Sequence, residues 1–510
     1  MRVPISVEIT KKENFEVLTK QIAKGGGIAF VGQLSGKGIN FVLQILLARI
    51  LGTMSYGLYA LGYNVFFIAQ RFSLLGFHNG VVRFGSIYRG KSDTRRLKGT
   101  LITSLGVTFL TGILLSFLLF FLSDIISNRL FNEPSLVPVI KVFSFCLPFY
   151  TLMMVASYSA RSFRRMEYAI GLEFLLHPFI NLILVSLIFL LGYRLLGVIF
   201  GFLISSIFSA TLGIFLLRKI FPDLISELKP RFEFKTILLY SLTILLSSFS
   251  YLLLLTRADR IMLGIYASAR DVGIYNAVTA ISNQAALFLA SFNAIFSPII
   301  ADLYNKGDMN ELSKLFKITT KWIFTLTFPL FLVFLLYPKQ IMGLFGPEFK
   351  VAWSSLIILG MANLINASAG SVGFMLTMTG RQKIELTNNF FMGGINIILN
   401  IYLIQRYGIL GAAIATGSSI GLINVARLLE VFHLYRIHPY NTSFWKPLVA
   451  GVFTVFSLLL FNKFIPSKGW WWVAGVALFG LVYLLFLILL GLEEEDKLVI
   501  RAVKSRLGKN

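Results

Sequence analysis

The chain has 510 residues, 56% of them hydrophobic and only 14% charged, a composition far outside that of a soluble domain of any fold. Its formal net charge of +24 could suit nucleic acid, but the basic residues fall between apolar runs of about 20 residues, the length that crosses a hydrocarbon core. The composition therefore predicts an all-α, polytopic membrane protein and sets nucleic-acid binding aside.

In chain order the apolar runs predict fourteen spans, at residues 26–51, 57–80, 99–122, 136–158, 169–192, 195–217, 236–256, 273–300, 320–345, 351–378, 384–405, 409–432, 445–465 and 469–491. Connections are short, which leaves no room for a soluble catalytic domain, so no enzyme activity is expected. Lys11, Lys12, Lys20 and Lys24 precede a first span too long and too polar at its centre for a signal-peptide core, so that span is expected to be retained. Cys146, the single cysteine, excludes an internal disulfide and a Cys-rich metal site. No metal-ligand spacing, phosphate-cradling loop or nucleophile elbow occurs, so no metal or cofactor is expected.

The basic residues alternate by loop. They follow spans two (Arg83, Arg89, Lys91, Arg95, Arg96, Lys98), four (Arg161, Arg164, Arg165) and six (Arg218, Lys219, Lys229, Arg231, Lys235), and the pattern continues after every even span to the C-terminal tail. About 32 of the 47 Lys and Arg residues fall on one side, which predicts cytoplasmic termini at a cell membrane and favours an even number of spans. Anionic membrane lipid is the expected partner of this charge.

The chain also resembles itself. Ile50-Leu51-Gly52 with Gly57-Leu58-Tyr59 recurs as Met262-Leu263-Gly264 with Gly273-Ile274-Tyr275, and the run from Gly192 to Ile199 recurs from Arg406 to Ala413. The offset equals six spans, so both halves point the same way. The expected organisation is an N-lobe, 1–235, with spans 1–6; a C-lobe, 236–437, with spans 7–12; and an added pair with a tail, 438–510.

Polar side chains within hydrocarbon mark a cavity or a buried seam. Gln33, Lys37, Asn40 and Gln44 fall within about 60° of one another on span one, with Lys37 near mid-membrane. Span two carries Asn64, Arg71 and His78 at intervals of seven, and span eight carries Asn276, Thr279 and Asn283. The functional reading is a cationic, hydrogen-bonding cavity between the lobes with Lys37 and Arg71 as its main charges; the alternative is helix-to-helix bonding. Carboxylates are scarce: Glu173 in the first lobe, expected at the interface or paired with Arg164; Asp259 beside Arg257 and Arg260; and Glu430 beside Arg427. The last two groups are candidate gate or coupling sites, or structural ion pairs. Gly32 and Gly36 suit bending or close packing of span one.

Ala48-Arg49-Ile50-Leu51-Gly52 with Tyr56-Gly57-Leu58-Tyr59, and Arg257-Ala258-Asp259-Arg260-Ile261-Met262-Leu263-Gly264 with Gly273-Ile274-Tyr275, in fourteen spans, resemble the O-antigen and polysaccharide biosynthesis flippases, relatives of the lipid II flippases and multidrug antiporters. The resemblance implies translocation of an oligosaccharide on a polyprenyl phosphate or diphosphate by alternating access, with other polysaccharide-assembly proteins as candidate partners. A small-molecule antiporter is the main alternative, but Lys37 stands where such antiporters tend to carry an acid. A membrane-embedded enzyme acting on lipid-linked sugars would need a catalytic loop, for which there is little room.

Overall fold

The computed structural model describes residues 5–251, 257–464, 471–491 and 493. Arg2, the outer end of span seven at 252–256 and the basic tail with Lys497, Arg501, Lys504, Arg506 and Lys509 lie outside the described residues. Every regular element described is helical, as apolar sequences must be where no water can satisfy backbone N–H and C=O groups.

Each predicted span is present, several with altered ends. Ile5–Leu74 runs as one helix except at Gly52, whose φ of 68° divides span one from span two; Gln382–Tyr435 is likewise divided at Gly408, φ 53°, into spans eleven and twelve. Only a residue without Cβ adopts such angles at little cost, so each turn needs its glycine. Span nine is Met309–Leu336, displaced toward its N-terminus from the predicted range, because Asp308 accepts from Glu311 N at 3.1 Å and caps the helix there.

Three spans are interrupted rather than continuous. Span two ends at Leu74 and resumes as Phe77–Gly90, through Leu75 (φ 44°) and Gly76 (φ 78°). Span eight consists of Ala269–Ser282 and Ala286–Lys306, and span ten of Trp353–Ala369 and Val372–Met378 around Gly370. Span five has a widened π turn at Gly171–Leu176. Hydropathy averaged over a span-length window does not resolve these breaks, since each is only two or three residues long.

The residues group into two compact units, Met1–Leu253 with Ala267–Gly273, and Leu254–Tyr266 with Ile274–Asn510. In unit 1 the two repeat-related glycines meet: a Cβ on Gly57 would lie 1.7 Å from Ala269 O, and one on Gly273 would lie 3.0 Å from Gly57 Cα. Backbone-to-backbone packing of this kind tolerates no side chain. Some basic loop residues are structural as well. Buried Lys98 donates to Ser226 O at 2.6 Å, and Arg96 pairs with Glu233 at 2.8 Å, fastening the loop after span six to the start of span three. In unit 2 the end of span fourteen is held by Glu493, which pairs with Lys321 at 3.0 Å and Lys446 at 3.5 Å.

Candidate functional site

Span one presents its polar stripe outward and its small residues inward. Gln33, Lys37 and Asn40 are exposed, while Gln44 is half-buried and accepts from Tyr56 Oη at 2.6 Å. On the packed side, a Cβ on Gly32 would meet Ile170 Cγ2 at 2.3 Å and one on Gly36 would meet Phe174 O at 2.2 Å. The four-residue glycine spacing therefore serves contact with span five. Asn40 donates to Gly36 O at 3.0 Å, and Lys37 forms no ion pair among the described residues.

The stripe on span two points into the interior of unit 1. Asn64 is buried, Arg71 half-buried and His78 buried. The Arg71 guanidinium carbon sits 5.1 Å from the Phe67 ring centroid. Beyond the break at Leu75 and Gly76, the His78 ring abuts Tyr158 at 4.9 Å, and Arg161 covers the other partner position on Tyr158 at 3.9 Å. Arg161 Nη2 pairs with Glu173 Oε2 at 2.5 Å, and Ser157 Oγ donates to the same oxygen at 3.2 Å. Glu173 thus pairs with Arg161, not Arg164: Arg161 lies in the last turn of span four, whereas Arg164, with a φ of 60°, has left the helix.

Glu173 also lies in the field of Arg71, so one carboxylate serves two guanidiniums. Arg71 Nε, Arg161 Nε, His78 Nδ1 and Gln70 Oε1 are buried without hydrogen-bond partners among the described residues. The cluster is positively charged and incompletely satisfied. By contrast His177, whose Nε2 lies 3.3 Å from both Ser205 Oγ and Ser206 Oγ, is packed against Tyr150 and Phe202 and fully engaged.

In unit 2, Asp259 is buried at 7% exposure and accepts from Tyr275 Oη at 2.8 Å and from Thr416 Oγ1 at 3.4 Å. Arg260, equally buried, donates to Thr279 Oγ1 at 2.7 Å. The Asp259 and Arg260 side chains bond different neighbours, although Arg260 N donates to Asp259 Oδ1 at 2.8 Å; Arg257 and Asn276 have contacts of their own, and Asn283 is exposed at the break in span eight. The expected neighbours Arg427 and Glu430 are also separated: Arg427 forms a two-toothed pair with Glu385 and bonds Asn389 at 3.0 Å, while Glu430 accepts from Asn388 at 2.7 Å. Both partners come from span eleven, packed antiparallel against span twelve. Close by, Asn396 Nδ2 donates to Ser419 Oγ at 3.2 Å and Asn400 Nδ2 to Asn396 Oδ1 at 3.0 Å.

Sequence reasoning missed Arg161, Tyr275, Thr416 and Glu385 as members of these clusters. Two of them carried a signal: Glu385 and Arg427 are acid and base on consecutive antiparallel spans, and so, across a tight turn, are Arg161 and Glu173. The tyrosine and threonine carried none.

The same fold recurs in solved polytopic membrane proteins. A solved structure titled as lipid II flippase MurJ in an inward closed conformation superposes with TM-score 0.71 at 17% identity, covering 89% of this chain and 97% of that one. An inward-facing multidrug resistance MATE family transporter superposes with TM-score 0.64 at 15% identity, covering 80% of this chain and 98% of that chain. The model of the polysaccharide biosynthesis protein family matches residues 22–304, more than half of the chain, and the chain belongs to that family. The MatE model matches residues 243–402.

Among curated relatives, the probable low-salt glycan biosynthesis flippase Agl15 of Haloferax volcanii is 24% identical over 40% of this chain and 42% of its own length. The probable flippase AglR of the same organism is 31% identical over 34% of this chain and 37% of its own length. The match to an uncharacterized membrane protein of Methanocaldococcus jannaschii, 24% identical, covers 54% of each chain. The chain thus spans about half or less of the length of these relatives.

Proposed function

We propose that the chain is a flippase that moves a polyprenyl-phosphate- or diphosphate-linked oligosaccharide from the cytoplasmic to the outer leaflet of the cell membrane, for polysaccharide or glycan biosynthesis. The observation that carries this reading is the exposed stripe of span one, in which Lys37 stands without a carboxylate between Gln33 and Asn40. An anionic, hydroxyl-rich headgroup needs a cation to offset desolvation and amides to bond its sugars, while its prenyl chain stays in lipid. Family membership and the flippase names of Agl15 and AglR support the same substrate class.

In this reading Lys37, Gln33, Asn40 and Gln44 contact the headgroup, with Asn64, Asn276 and Asn283 as further hydrogen-bonding groups. Arg71 contributes field from inside the first repeat. Repeats 1–235 and 236–437 rock in alternating access, and residues 438–510 are an added pair with a tail. The basic loops and both termini face the cytoplasm. Arg257, Asp259 and Arg260, and Arg427 and Glu430, are the gate or coupling groups. An inside-negative potential favours outward movement of anionic charge by up to about 2.3 kcal/mol per charge per 100 mV. A multidrug antiporter is the second reading, supported by the MatE match, but Glu173, the carboxylate the sequence places within a first-repeat span, is neutralised by Arg161.

The test is translocation of a lipid-linked oligosaccharide in proteoliposomes. Wild type moves the headgroup, and Lys37→Ala at equal reconstitution slows it by about tenfold or more, the effect of losing one charge-assisted contact. Normal transport by Lys37→Ala would remove the span-one stripe from the site, and no transport by wild type would remove the function.

A further inference from the structure

Unit 1 contains an open groove of about 470 Å³ between spans one, five and six, within the size range of about 300–1,000 Å³ typical of ligand sites. Its walls are almost wholly apolar, with Ile39 from span one, Tyr168, Leu175 and Phe179 from span five, and Leu212 and Leu216 from span six. Two features of span five create it. The π turn at Gly171–Leu176 directs Glu173 inward to Arg161 while leaving the leucines on the groove side, and Gly171 leaves open space where a side chain would project, with nothing within 4 Å of its would-be Cβ.

From Glu167 to Phe179 the groove follows span five for about 18 Å at 1.5 Å per residue, which suits a chain rather than a compact ligand. One end is rich in positive charge. Span six is antiparallel to span five, so the exposed Arg218 and Lys219, just beyond Leu216, lie at the same end of the hairpin as the exposed Arg164 and Arg165. Glu167 is the one carboxylate among them, and it bonds Arg165 at 3.3 Å. An apolar channel with a basic mouth matches a lipid that carries phosphate at one end.

We propose that this groove seats the isoprenoid chain of an anionic polyprenyl phosphate carrier, with the phosphate at Arg164, Arg165, Arg218 and Lys219. The inference rests on the flippase reading for the identity of the lipid, and places a resting site for the carrier chain on unit 1, apart from the stripe that meets the sugars. Seating the chain here would concentrate the substrate beside span one before its headgroup is captured.

The experiment uses the full chain in phosphatidylcholine nanodiscs with a polyprenyl phosphate bearing a diazirine in its chain, and maps the photolabel by mass spectrometry. The expected label is concentrated in residues 166–179 and 207–220, is displaced by unlabelled polyprenyl phosphate, and is displaced about tenfold less well by uncharged polyprenol or by phosphatidylglycerol. Gly171→Phe, which fills open space, lowers labelling by a similar factor, and Leu212→Phe serves as a second plug if that variant does not fold. Lys37→Ala leaves the label in place. Label spread evenly over all spans, label unaffected by either folded plug, or equal displacement by phosphatidylglycerol overturns the proposal. Groove labelling intact in a wild-type protein that fails to translocate would instead count against the flippase reading and leave the groove standing.

Discussion

In unit 1 the Glu173 carboxylate serves two guanidiniums, Arg161 by direct contact and Arg71 through its field, whereas in unit 2 the Arg427 guanidinium is enclosed by Glu385 and Asn389. Both clusters join an arginine to an acid on the neighbouring antiparallel span. The Arg427 pair is satisfied locally, since Glu430 has its own donor in Asn388, although Arg260 Nε and Asn400 Oδ1 elsewhere in unit 2 are buried without a partner among the described residues. Unit 1 leaves positive charge over, together with buried polar atoms on Gln70, Arg71, His78 and Arg161 that have no partner among the described residues. A satisfied pair fixes helices; an unsatisfied, positively charged one also supplies field to an anion nearby.

The largest effect that can break this comparison is removal of the shared acid. Glu173→Leu leaves two cations uncompensated in the interior and is expected to lower stability by about 3–5 kcal/mol, read as an early unfolding transition in detergent. The double variant Arg161→Leu with Glu173→Leu recovers most of that loss, because it removes the stranded charge along with its partner. If the double variant is as unstable as the single one, the pair is not what costs stability there.

Next in size is the glycine contact of unit 1. Gly57→Ala drives a methyl into Ala269 O and is expected to cost about 1–3 kcal/mol, whereas Gly38→Ala, in open space on span one, gains about 0.5–1 kcal/mol of helix propensity. Thermal unfolding of the two variants side by side separates packing from propensity. A smaller change sharpens the unit 2 side: Arg427→Lys keeps the charge but loses the fork on Glu385, with an expected loss of about 1–2 kcal/mol. Smallest of all, Lys37→Ala changes stability by less than about 0.5 kcal/mol, since its side chain is exposed and makes no ion pair, although transport falls. A large stability loss there would move Lys37 from the substrate stripe to the packing.

The stripe on span one was legible from a period of 3.6 residues, and it is exposed because span five packs on the neighbouring side of the helix, at Gly32 and Gly36. The stripe on span two has the same periodicity and faces the other way, into the bundle. Periodicity identifies residues that share a face; it does not say what the face meets. Glu173 was visible as a lone acid, yet the choice of Arg161 over Arg164 depends on a turn in which Arg164 itself adopts a φ of 60° and leaves the helix.

The sequence by itself determined the all-helical membrane fold, the approximate number of spans, the alternation of basic loops and the family, because hydropathy, charge and spacing are properties of neighbours along the chain. Only the tertiary structure decided that spans two, eight and ten are broken, that the repeat-related Gly57 and Gly273 touch, that Arg427 turns to Glu385 rather than Glu430, and that spans one, five and six leave an apolar groove. Each of these depends on which helix face meets which neighbour, and in a chain where nearly every residue is apolar that choice falls to the shape of the packed side chains and the few polar groups that need a partner.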